Sequence, residues 1–557
     1  MLMPLLLVGL LTQQPDASDP TPAPTPGLLR PLAVVNLPAP GQTARKLIDG
    51  PLVKRLLASN VLEQVLQEHA PGARSAVETG WLMFFKPLAG DVALFVDSFA
   101  GDGLRLLLLE GVVTDGVIGE PRWAVIADGF DAEIAMDCLS PALQMAGVAR
   151  QSMRGDTWTA TVAELHLMRQ GDRFLLTQDP ALLQALAEID SSAWHPAPDT
   201  HAFASTPHAD LQAWMSGELL RADGYPELPE DAGESYLTGG MHEVLRTADW
   251  IGARFTVDGQ ELRLDFAAPA DPQIRKTHAP FFPAVEEVAM PQLERRMMQG
   301  VFTRDLAHWW AARSEYMNER GLAATIEGDS NLALLFGRDA GSEVFHHLEN
   351  QILLLAAPLP PSESANLSVE YPAGAIGLQF KESAPEDLGQ AFSNAFFAAI
   401  TFANFEGGAM DQAALQMDIL PVDGGRIYTA TYPTLEEGRK ASARYNFSPA
   451  MLVRDDGALW VSSSLGLLQE IAAAPTRAVT AQGMWMHFEF PEMLALAQRD
   501  RPLLVANRVL EEGGDVERAE RFIDVILDGA AALGQASVHS FLDEDVFRLN
   551  LALDFLD

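Results

Sequence analysis

Histidine and carboxylate side chains occur close together at two places in the sequence, and such groups can hold a metal ion. His201, His208 and Asp210 lie within HAFASTPHAD, where a loop could bring them together. His487 and Glu489 alternate within MWMHFEF, and alternate residues of a strand point to the same face. The two groups could share one metal, but the second does not reproduce the spacing of the first. We therefore predict no metal site and keep a loosely spaced His/Asp/Glu site as the alternative.

Two further patterns contain metal-ligating residue types. His346 and His347 are adjacent in VFHHLENQ, followed by Glu349. On a helix they diverge by about 100° and cannot both face one ion, so we interpret them as a half-exposed helix face. DDG at 455–457 and DED at 543–545 contain calcium-type ligands, but neither continues into a calcium-loop pattern. We predict that both are hairpin tips, where acidic residues are common without any metal.

The chain has one cysteine, Cys138, within AEIAMDCLSPAL. A single cysteine excludes an intramolecular disulfide and a cysteine-based metal site. The apolar residues around it have helical spacing, which predicts a buried thiol rather than a nucleophile. The sequence also lacks a glycine-rich phosphate loop, a G-x-S-x-G elbow and an H-E-x-x-H helix. We predict no catalytic residues and no cofactor.

Trp309 and Trp310 are adjacent in DLAHWWAARSEY. On a helix, one of them leaves the core-facing side unless the helix is buried all round. An exposed tryptophan could anchor a partner, because aromatic residues dominate binding hot spots. We favour packing inside the protein, including against the first half of the chain.

The composition limits the classes of partner. The 557 residues include 76 acidic and 38 basic residues, for a net charge of −38, and 48% are hydrophobic. Such a chain can build a large core, and its length predicts more than one domain. Carboxylates offer no counter-charge to phosphates, so nucleic acid and anionic lipid surfaces are excluded as partners.

The first residues predict export. MLMPLLLVGLL is apolar over the length of a signal-peptide core and is too short to span a bilayer. We predict a signal peptide at 1–17 with Ala17 as its last residue. The proline-rich segment 18–29 would then form an extended tether. Later apolar runs are also short, so we expect no transmembrane segment in the mature chain and a periplasmic or extracellular location.

Two segments 285 positions apart read almost alike. GDRFLLTQDPALLQALAE begins at residue 171, and DGALWVSSSLGLLQEIAA begins at residue 456. Each predicts a short buried strand, a turn with capping residues and an amphipathic helix. Because the likeness covers a whole structural unit, we predict that it belongs to a longer internal repeat.

The same shift of 285 relates the ends of the two halves, ARFTVDGQELRLDF (253–266) and VHSFLDEDVFRLNL (538–551). In each segment apolar and polar residues alternate, which predicts an antiparallel hairpin. Asp258-Gly259 fits its tight turn, because glycine tolerates positive φ. Upstream, residues 156–165 match 426–435. The segments from Trp123 and from Ile376, and those from His201 and from Met484, each predict a strand followed by a helix.

These patterns predict an α+β fold with two tandem duplicated domains, each a mainly antiparallel sheet with helices packed on one face. The stretch DVALFVDSF (91–99) predicts a further strand, and the segment from Pro51 predicts an early helix. A proline-rich seam predicts the boundary. We assign 30–272 to the first domain, 273–292 to a linker and 293–557 to the second domain.

The first hundred residues or so resemble a family of uncharacterised exported bacterial proteins of planctomycete type, known as domains of unknown function. VVNLPAPGQTARKLIDGPLVKRLL, with its Leu-Pro step and Gly50-Pro51-Leu52 turn, and the later GDVALFVDSF carry the resemblance. The resemblance implies export and an αβ repeat, and it supplies no catalytic residues.

Together these observations favour an exported binding or scaffold protein without catalytic activity. The expected partner is a protein or an apolar ligand held between a sheet and its helices. The alternative is a secreted or periplasmic hydrolase with a carboxylate or loosely spaced metal site. A deep cleft with several carboxylates or histidines would favour the hydrolase, and a broad apolar sheet face would favour binding.

Overall fold

A computed structural model describes the chain over defined stretches. The described residues are 31–51, 54, 96–98, 100–109, 113–114, 117–118, 121–131, 156–162, 165–188, 209–221, 228–270, 286–364, 367, 369–409, 413–433, 443–481, 483–543 and 546–556. They separate into two units. Of the described residues, the first unit contains 31–221 and 249–267, and the second contains 228–248 and 268–556.

One antiparallel sheet of nine strands organises the first unit. Its order is β6-β7-β8-β5-β2-β1-β9-β10-β11, and the two-residue strands β3 and β4 pair separately. Alternation of apolar and polar residues, as in β10 and β11, gives each strand two distinct faces. The strands are β1 (Pro31–Leu37), β2 (Gly103–Leu109), β3 (Val113–Thr114), β4 (Val117–Ile118), β5 (Arg122–Asp128), β6 (Thr157–Val162), β7 (Leu165–Gln170), β8 (Arg173–Thr177), β9 (Leu211–Ser216), β10 (Trp250–Asp258) and β11 (Glu261–Pro269).

Apolar residues are buried on both faces of this sheet. On one face, which we call face A, helix α2 packs through Leu182 and Leu186 against Leu107 and Leu175. On the opposite face, face B, Leu176 lies in a second cluster of buried residues. The described helices of this unit are α1 (Pro40–Asp49), α2 (Pro180–Glu188) and α3 (Gly217–Arg221).

The second unit is built on a ten-stranded antiparallel sheet. Its order is β16-β17-β18-β19-β15-β14-β13-β21-β22-β23, and β12 pairs with β20 in a separate ribbon. The strands are β12 (Glu286–Pro291), β13 (Met298–Thr303), β14 (Gln351–Ala357), β15 (Ala373–Gln379), β16 (Gln416–Val422), β17 (Gly425–Thr431), β18 (Ala450–Arg454), β19 (Ala458–Ser462), β20 (Thr476–Ala481), β21 (Met484–Glu489), β22 (Leu533–Asp543) and β23 (Val546–Phe555).

Helices lie on both faces of the second sheet. Leu467 and Leu468 of α10 pack on face A beside Trp460, whereas Phe392 of α9 packs on face B beside Leu459. The helices are α4 (Ala232–Thr247), α5 (Leu306–Ala311), α6 (Glu319–Phe336), α7 (Ala340–Glu343), α8 (Pro361–Ser364), α9 (Leu388–Ala409), α10 (Leu465–Ala473), α11 (Phe490–Arg499), α12 (Arg501–Glu512) and α13 (Val516–Ala530). Three 3₁₀ turns cover Arg313–Glu315, Phe345–His347 and Ala443–Asn446.

The architecture is therefore α+β with large antiparallel sheets, as predicted, but the prediction of helices on one face is wrong for the second unit. The reason lies in strands such as ALWVS of β19, which bury consecutive residues. A strand that is apolar on both faces needs cover on both.

The two sheets have the same strand order over nine positions. Counting from the hairpins β10–β11 and β22–β23, each described strand of the first sheet has a counterpart in the second, and β16 has none among the described strands of the first. The two predicted terminal hairpins are confirmed, and Gly259 has the expected positive φ of 53°. The predicted strand and helix of each 285-residue match are also confirmed, as β8 with α2 and β19 with α10.

The junction of strand and helix repeats at atomic detail. Thr177 Oγ1 donates to the carbonyl of Trp123 and accepts from the amide of Asp179. Ser462 Oγ likewise donates to the carbonyl of Gly374 and accepts from the amide of Ser464. In both places a short hydroxyl side chain joins the end of a strand to its neighbour and sets the start of the helix.

Two sequence predictions of local structure are wrong. Residues 96–98, predicted as part of a strand, are helical. The segment after His201, predicted to become a helix, forms strand β9 from Leu211, with alternating Gln212 and Ala213. Short apolar runs fit both periods, and the pairing with neighbouring strands decides between them.

Several predictions fall outside the described residues: the signal peptide 1–17, the tether 18–29, most of the helix from Pro51, and Cys138. The domain boundaries 30–272 and 293–557 stay a prediction. Strand β12 lies at the end of the predicted linker 273–292. Within the stretches that the structure describes, no helix combines the length and the apolar character needed to cross a membrane.

Candidate functional site

Face B of the second sheet carries a continuous line of apolar residues across nine strands. Cross-strand pairing places them side by side from β17 to β23. We call this line the second apolar row. Its members, in order across the sheet, are Tyr428, Met451, Val461, Ile376, Leu354, Gly300, Met486, Val538 and Leu551.

The first sheet has the same line in the same strand positions. It is apolar in every strand, although the residue types differ from those of the second row. This first apolar row consists of Ala160, Leu167, Leu176, Val125, Leu106, Val35, Ala213, Ala253 and Phe266.

The two rows differ in how much of each reaches the surface. In the first row Val125 and Leu176 are buried beneath a cluster that includes Phe130. Their counterparts Ile376 and Val461 are 49% and 39% exposed. The second row is therefore accessible to solvent at positions where the first row is buried.

Beside these positions, the centre of the second row is partly accessible. Leu354, Met486 and Val538 are half-buried, and Met298 and Phe488 flank them on the same face. Methionine is flexible and adapts to irregular apolar surfaces. An apolar sheet face of this breadth is uncommon on a protein surface unless it binds something.

The opposite face of these strands belongs largely to the apolar core around α10, but the end of β21 carries a polar cluster there. His487 and Glu489 share face A of β21, as the alternation predicts, and His487 Nε2 lies 3.1 Å from Glu489 Oε1. Arg296 Nη2 donates to the same oxygen at 3.0 Å, and Gln535 Nε2 donates to Oε2 at 2.9 Å. The carboxylate thus accepts hydrogen bonds from three side chains, and its charge is balanced by one guanidinium.

These contacts set the protonation of the cluster. Burial raises the pKa of Glu489, but the hydrogen bonds from His487, Arg296 and Gln535 outweigh it and hold this pKa below its usual range. Nearby on β22, burial lowers the pKa of His539. The cluster is therefore an ionised carboxylate held in a rigid network, which suits a structural role better than proton transfer.

The predicted metal-ligating residues are used differently. His201 and His208 lie outside the described residues. Asp210 is buried and accepts hydrogen bonds from Val257 N at 2.7 Å and Lys46 Nζ at 2.8 Å. Its carboxylate anchors the start of β9.

The other candidate patterns have local structural roles. His346 and His347 lie in a 3₁₀ turn, with ring centroids 5.7 Å apart. The DDG segment is the confirmed tip of the β18–β19 hairpin, where Asp456 accepts from the amide of Ala458. Asp543 of the DED segment pairs with Arg548. In the part of the chain that the structure describes, no group of three or more His, Cys, Asp or Glu residues could hold a metal ion.

The prediction that the tryptophan pair packs inside the protein is confirmed. Trp309 is 3% exposed and lies edge-to-face against Tyr236 of α4, with ring centroids 5.1 Å apart. Trp310 is half-buried, and its Nε1 donates to Asp329 at 2.8 Å. Arg313 lies over its ring. Helix α4 comes from the first half of the sequence but groups with the second unit.

Sequence reasoning missed the apolar rows. Each strand shows alternation, and segments such as MWMHFEF contain the row residue and its polar neighbours. The signal needed is the register between strands, because only register tells which alternate residues line up.

Comparison of the chain with models of protein families, with curated proteins and with solved structures finds no match.

Proposed function

We propose that the protein is a non-catalytic binding protein that holds an apolar, chain-like ligand against face B of its sheets. The observation that carries the proposal is the second apolar row, with its half-buried centre and its exposed residues Ile376 and Val461. Burial of apolar surface would drive binding, at about 25 cal/mol for each Å² removed from water.

The row is a single line of apolar residues across the strands, and Leu354, Met486 and Val538 in it are half-buried, so a slender ligand suits it better than a broad protein surface. An acyl chain can follow such a line, and it makes no demand on hydrogen bonding. The ligand class that we propose is therefore a fatty acid or another long-chain lipid.

We also propose that the two units arose by duplication of one sheet-and-helix module. The shared order of nine strands supports this, as do the equivalent hydroxyls of Thr177 and Ser462. The sequence segments that begin at residues 171 and 253 recur in the same order at one shift of 285, which favours common descent over convergence. Duplication explains why an apolar row exists twice.

The proposal keeps the exported location predicted from residues 1–29. An exported protein that carries a lipid would have to shield the acyl chain from water. Amino-terminal sequencing of the protein recovered from its native envelope should give Ser18 as the first residue. An intact Met1 on the functional protein would contradict export.

Binding is tested by mixing delipidated full-length protein with a dansyl-labelled fatty acid and measuring the fluorescence of the dansyl group. Val538→Asp places a carboxylate on face B and should weaken binding at least about tenfold, because a buried charge opposes an acyl chain. Ser537→Asp, on the adjacent residue but on face A, is the matched control and should bind like the unmodified protein. Equal affinities of both variants, or no binding by the unmodified protein, would contradict the proposal. Circular dichroism checks that both variants fold.

The hydrolase alternative gives a different result in the same preparation. It predicts release of nitrophenol from a nitrophenyl ester, with a dependence on added divalent metal. The binding proposal predicts saturable uptake of the probe without turnover.

A further inference from the structure

Among the described strands, β16 is the one strand of the second sheet that has no counterpart in the first. Among the described residues it pairs with β17 alone, so its other side is a sheet edge. Residues 416–419 are all exposed, and Met417 and Ile419 are 46% and 49% accessible. An edge strand presents unpaired backbone groups that can pair with another chain.

Helix α9 extends this apolar surface. Asn404 joins the helix to the strand, because its side chain accepts from the amide of Leu415 at 2.7 Å and donates to the carbonyl at 3.0 Å. Phe402 and Phe405 on the same end of α9 are 50% and 80% exposed. We call Phe402, Phe405, Met417 and Ile419 the edge patch.

The outermost described strand on the corresponding side of the first sheet is more polar. This strand, β6, has exposed Thr157, Thr159 and Thr161, whereas Trp158 is buried. Threonines on an edge do not favour association with apolar strands. Of the two outermost described strands, β16 is therefore the more apolar.

We propose that β16 is a docking site for an extended strand of a partner protein in which apolar and basic residues alternate. Added beside β16, apolar residues of the partner strand would lie next to Met417 and Ile419 on face B. Basic residues would lie on the other face next to the exposed carboxylate of Asp418. The charge of −38 favours a basic partner over an acidic one.

A second copy of the chain fits this edge poorly. Antiparallel pairing of two β16 strands about Asp418 would place this carboxylate opposite its copy, and like charges directly opposite each other are destabilising. Pro421 has no backbone donor, and the amide of Ile419 already donates to Asp418 Oδ1 at 2.8 Å, so pairing is limited to the first half of the strand. The docking segment is therefore short, of about four to five residues.

The test uses the full chain and a fluorescent peptide of about eight residues that alternates valine and lysine, with a valine–glutamate peptide as its matched control. We expect the basic peptide to bind at least about tenfold more tightly, measured by fluorescence anisotropy at low salt. Ile419→Lys should weaken that binding at least about tenfold. Leu510→Lys changes a leucine on α12 that is more accessible still, 81% exposed, and should leave the binding unchanged.

A peptide methylated on alternate backbone nitrogens should lose binding if a strand is added to the sheet. Equal binding of the two peptides, an unaffected Ile419→Lys variant, or dimerisation of the unmodified chain through β16 would overturn the proposal. Uptake of the dansyl fatty acid should be unchanged by Ile419→Lys, so failure here is distinguishable from failure of the binding proposal.

Discussion

The starts of β9 and β21 occupy the same place in two sheets of the same strand order, and they are anchored by opposite charges. In the first unit the buried carboxylate of Asp210 accepts from Val257 N and from Lys46. In the second unit the corresponding residue is Gly483, and the buried guanidinium of Arg304 donates to its carbonyl at 3.0 Å. Both sheets thus fix the start of this strand with a buried charged side chain, but the sign of its charge differs between them.

The same contrast appears on face A. The positions of His487 and Glu489 correspond by strand register to Trp214 and Ser216 in the first sheet. One module thus carries a charged network where the other carries an aromatic ring and a hydroxyl. The apolar row on face B stays apolar in both. An apolar face B is therefore common to both units. The residue types differ on face A of β9 and β21 and at the edge strand.

The largest effect is expected for Arg304→Ala. This side chain is 3% exposed, and burial lowers its pKa to about 10, so it stays charged at neutral pH. Removing it takes a charged donor away from four carbonyl oxygens and should cost at least about 3 kcal/mol. Hydrogen exchange read by mass spectrometry should show faster exchange in β13 and β21. The carbonyls concerned belong to Tyr236, Leu237, Thr303 and Gly483.

Arg320→Ala is the control, because this arginine is 80% exposed and pairs with an exposed Glu230. Its loss should change stability by less than about 0.5 kcal/mol. Similar exchange in both variants would refute the anchoring role of Arg304.

Asp210→Ala is the equivalent change in the first unit. It should cost about 2 kcal/mol, because the amide of Val257 would lose its acceptor in a buried position. Exchange should rise in β9 and β10 and stay unchanged in β21. Asp49→Ala, at a residue whose side chain is 76% exposed, should have no measurable effect.

Exchanging the residue types that cap α2 and α10 should change the free energy of unfolding by a smaller amount. Asp179 caps α2 beside Arg122, whereas Ser464 caps α10 beside the carboxylate of Glu363. Asp179→Ser keeps a cap and should cost less than about 1 kcal/mol. Ser464→Asp should cost more than Ser464→Ala, because it sets two carboxylates together. Denaturant unfolding measures all three, and a Ser464→Asp variant as stable as Ser464→Ala would contradict this expectation.

We expect the loss of stability in acid to arise in the second unit. The pKa of Glu489 is held below its usual value, so its contribution to stability is present above about pH 4.3 and is lost as the pH falls through the folded value. Glu489→Gln should flatten this acid limb. An unchanged slope in Glu489→Gln would mean that the network contributes nothing.

The smallest effect is expected for His539. Burial lowers its pKa, so the folded state disfavours protonation, and stability falls as the pH drops below about 6.5. His539→Phe should remove this loss, and unfolding at about pH 5 and pH 7 checks it. The corresponding residue of the first unit is Arg254, which stays charged throughout this range.

The corresponding elements of the two units could be predicted wherever short-range signals coincide. The β8–α2 and β19–α10 pairs follow from an apolar strand, a capping residue and a helical period. The terminal hairpins follow from alternation and the Asp258-Gly259 turn. The strand β9 could not be placed from its sequence, because LQAWMS is short and suits either period until β1 and β10 pair with it.

The candidate site was harder to predict than the fold. The shared face of His487 and Glu489 follows from the two-residue period of a strand. Their partners Arg296 and Gln535 come from distant parts of the chain and carry no local signal. The charge balance of the cluster therefore could not be read from MWMHFEF alone.

Alternation of residue types by itself determined which side chains share a face, because successive residues of a strand point to opposite sides. Only the tertiary structure decided which strands are neighbours, and so it aligned one residue from each of nine strands into an apolar row. It also decided that Val125 is covered while Ile376 is not. Cover depends on which distant segments fold over a strand, and no stretch of sequence contains that information locally.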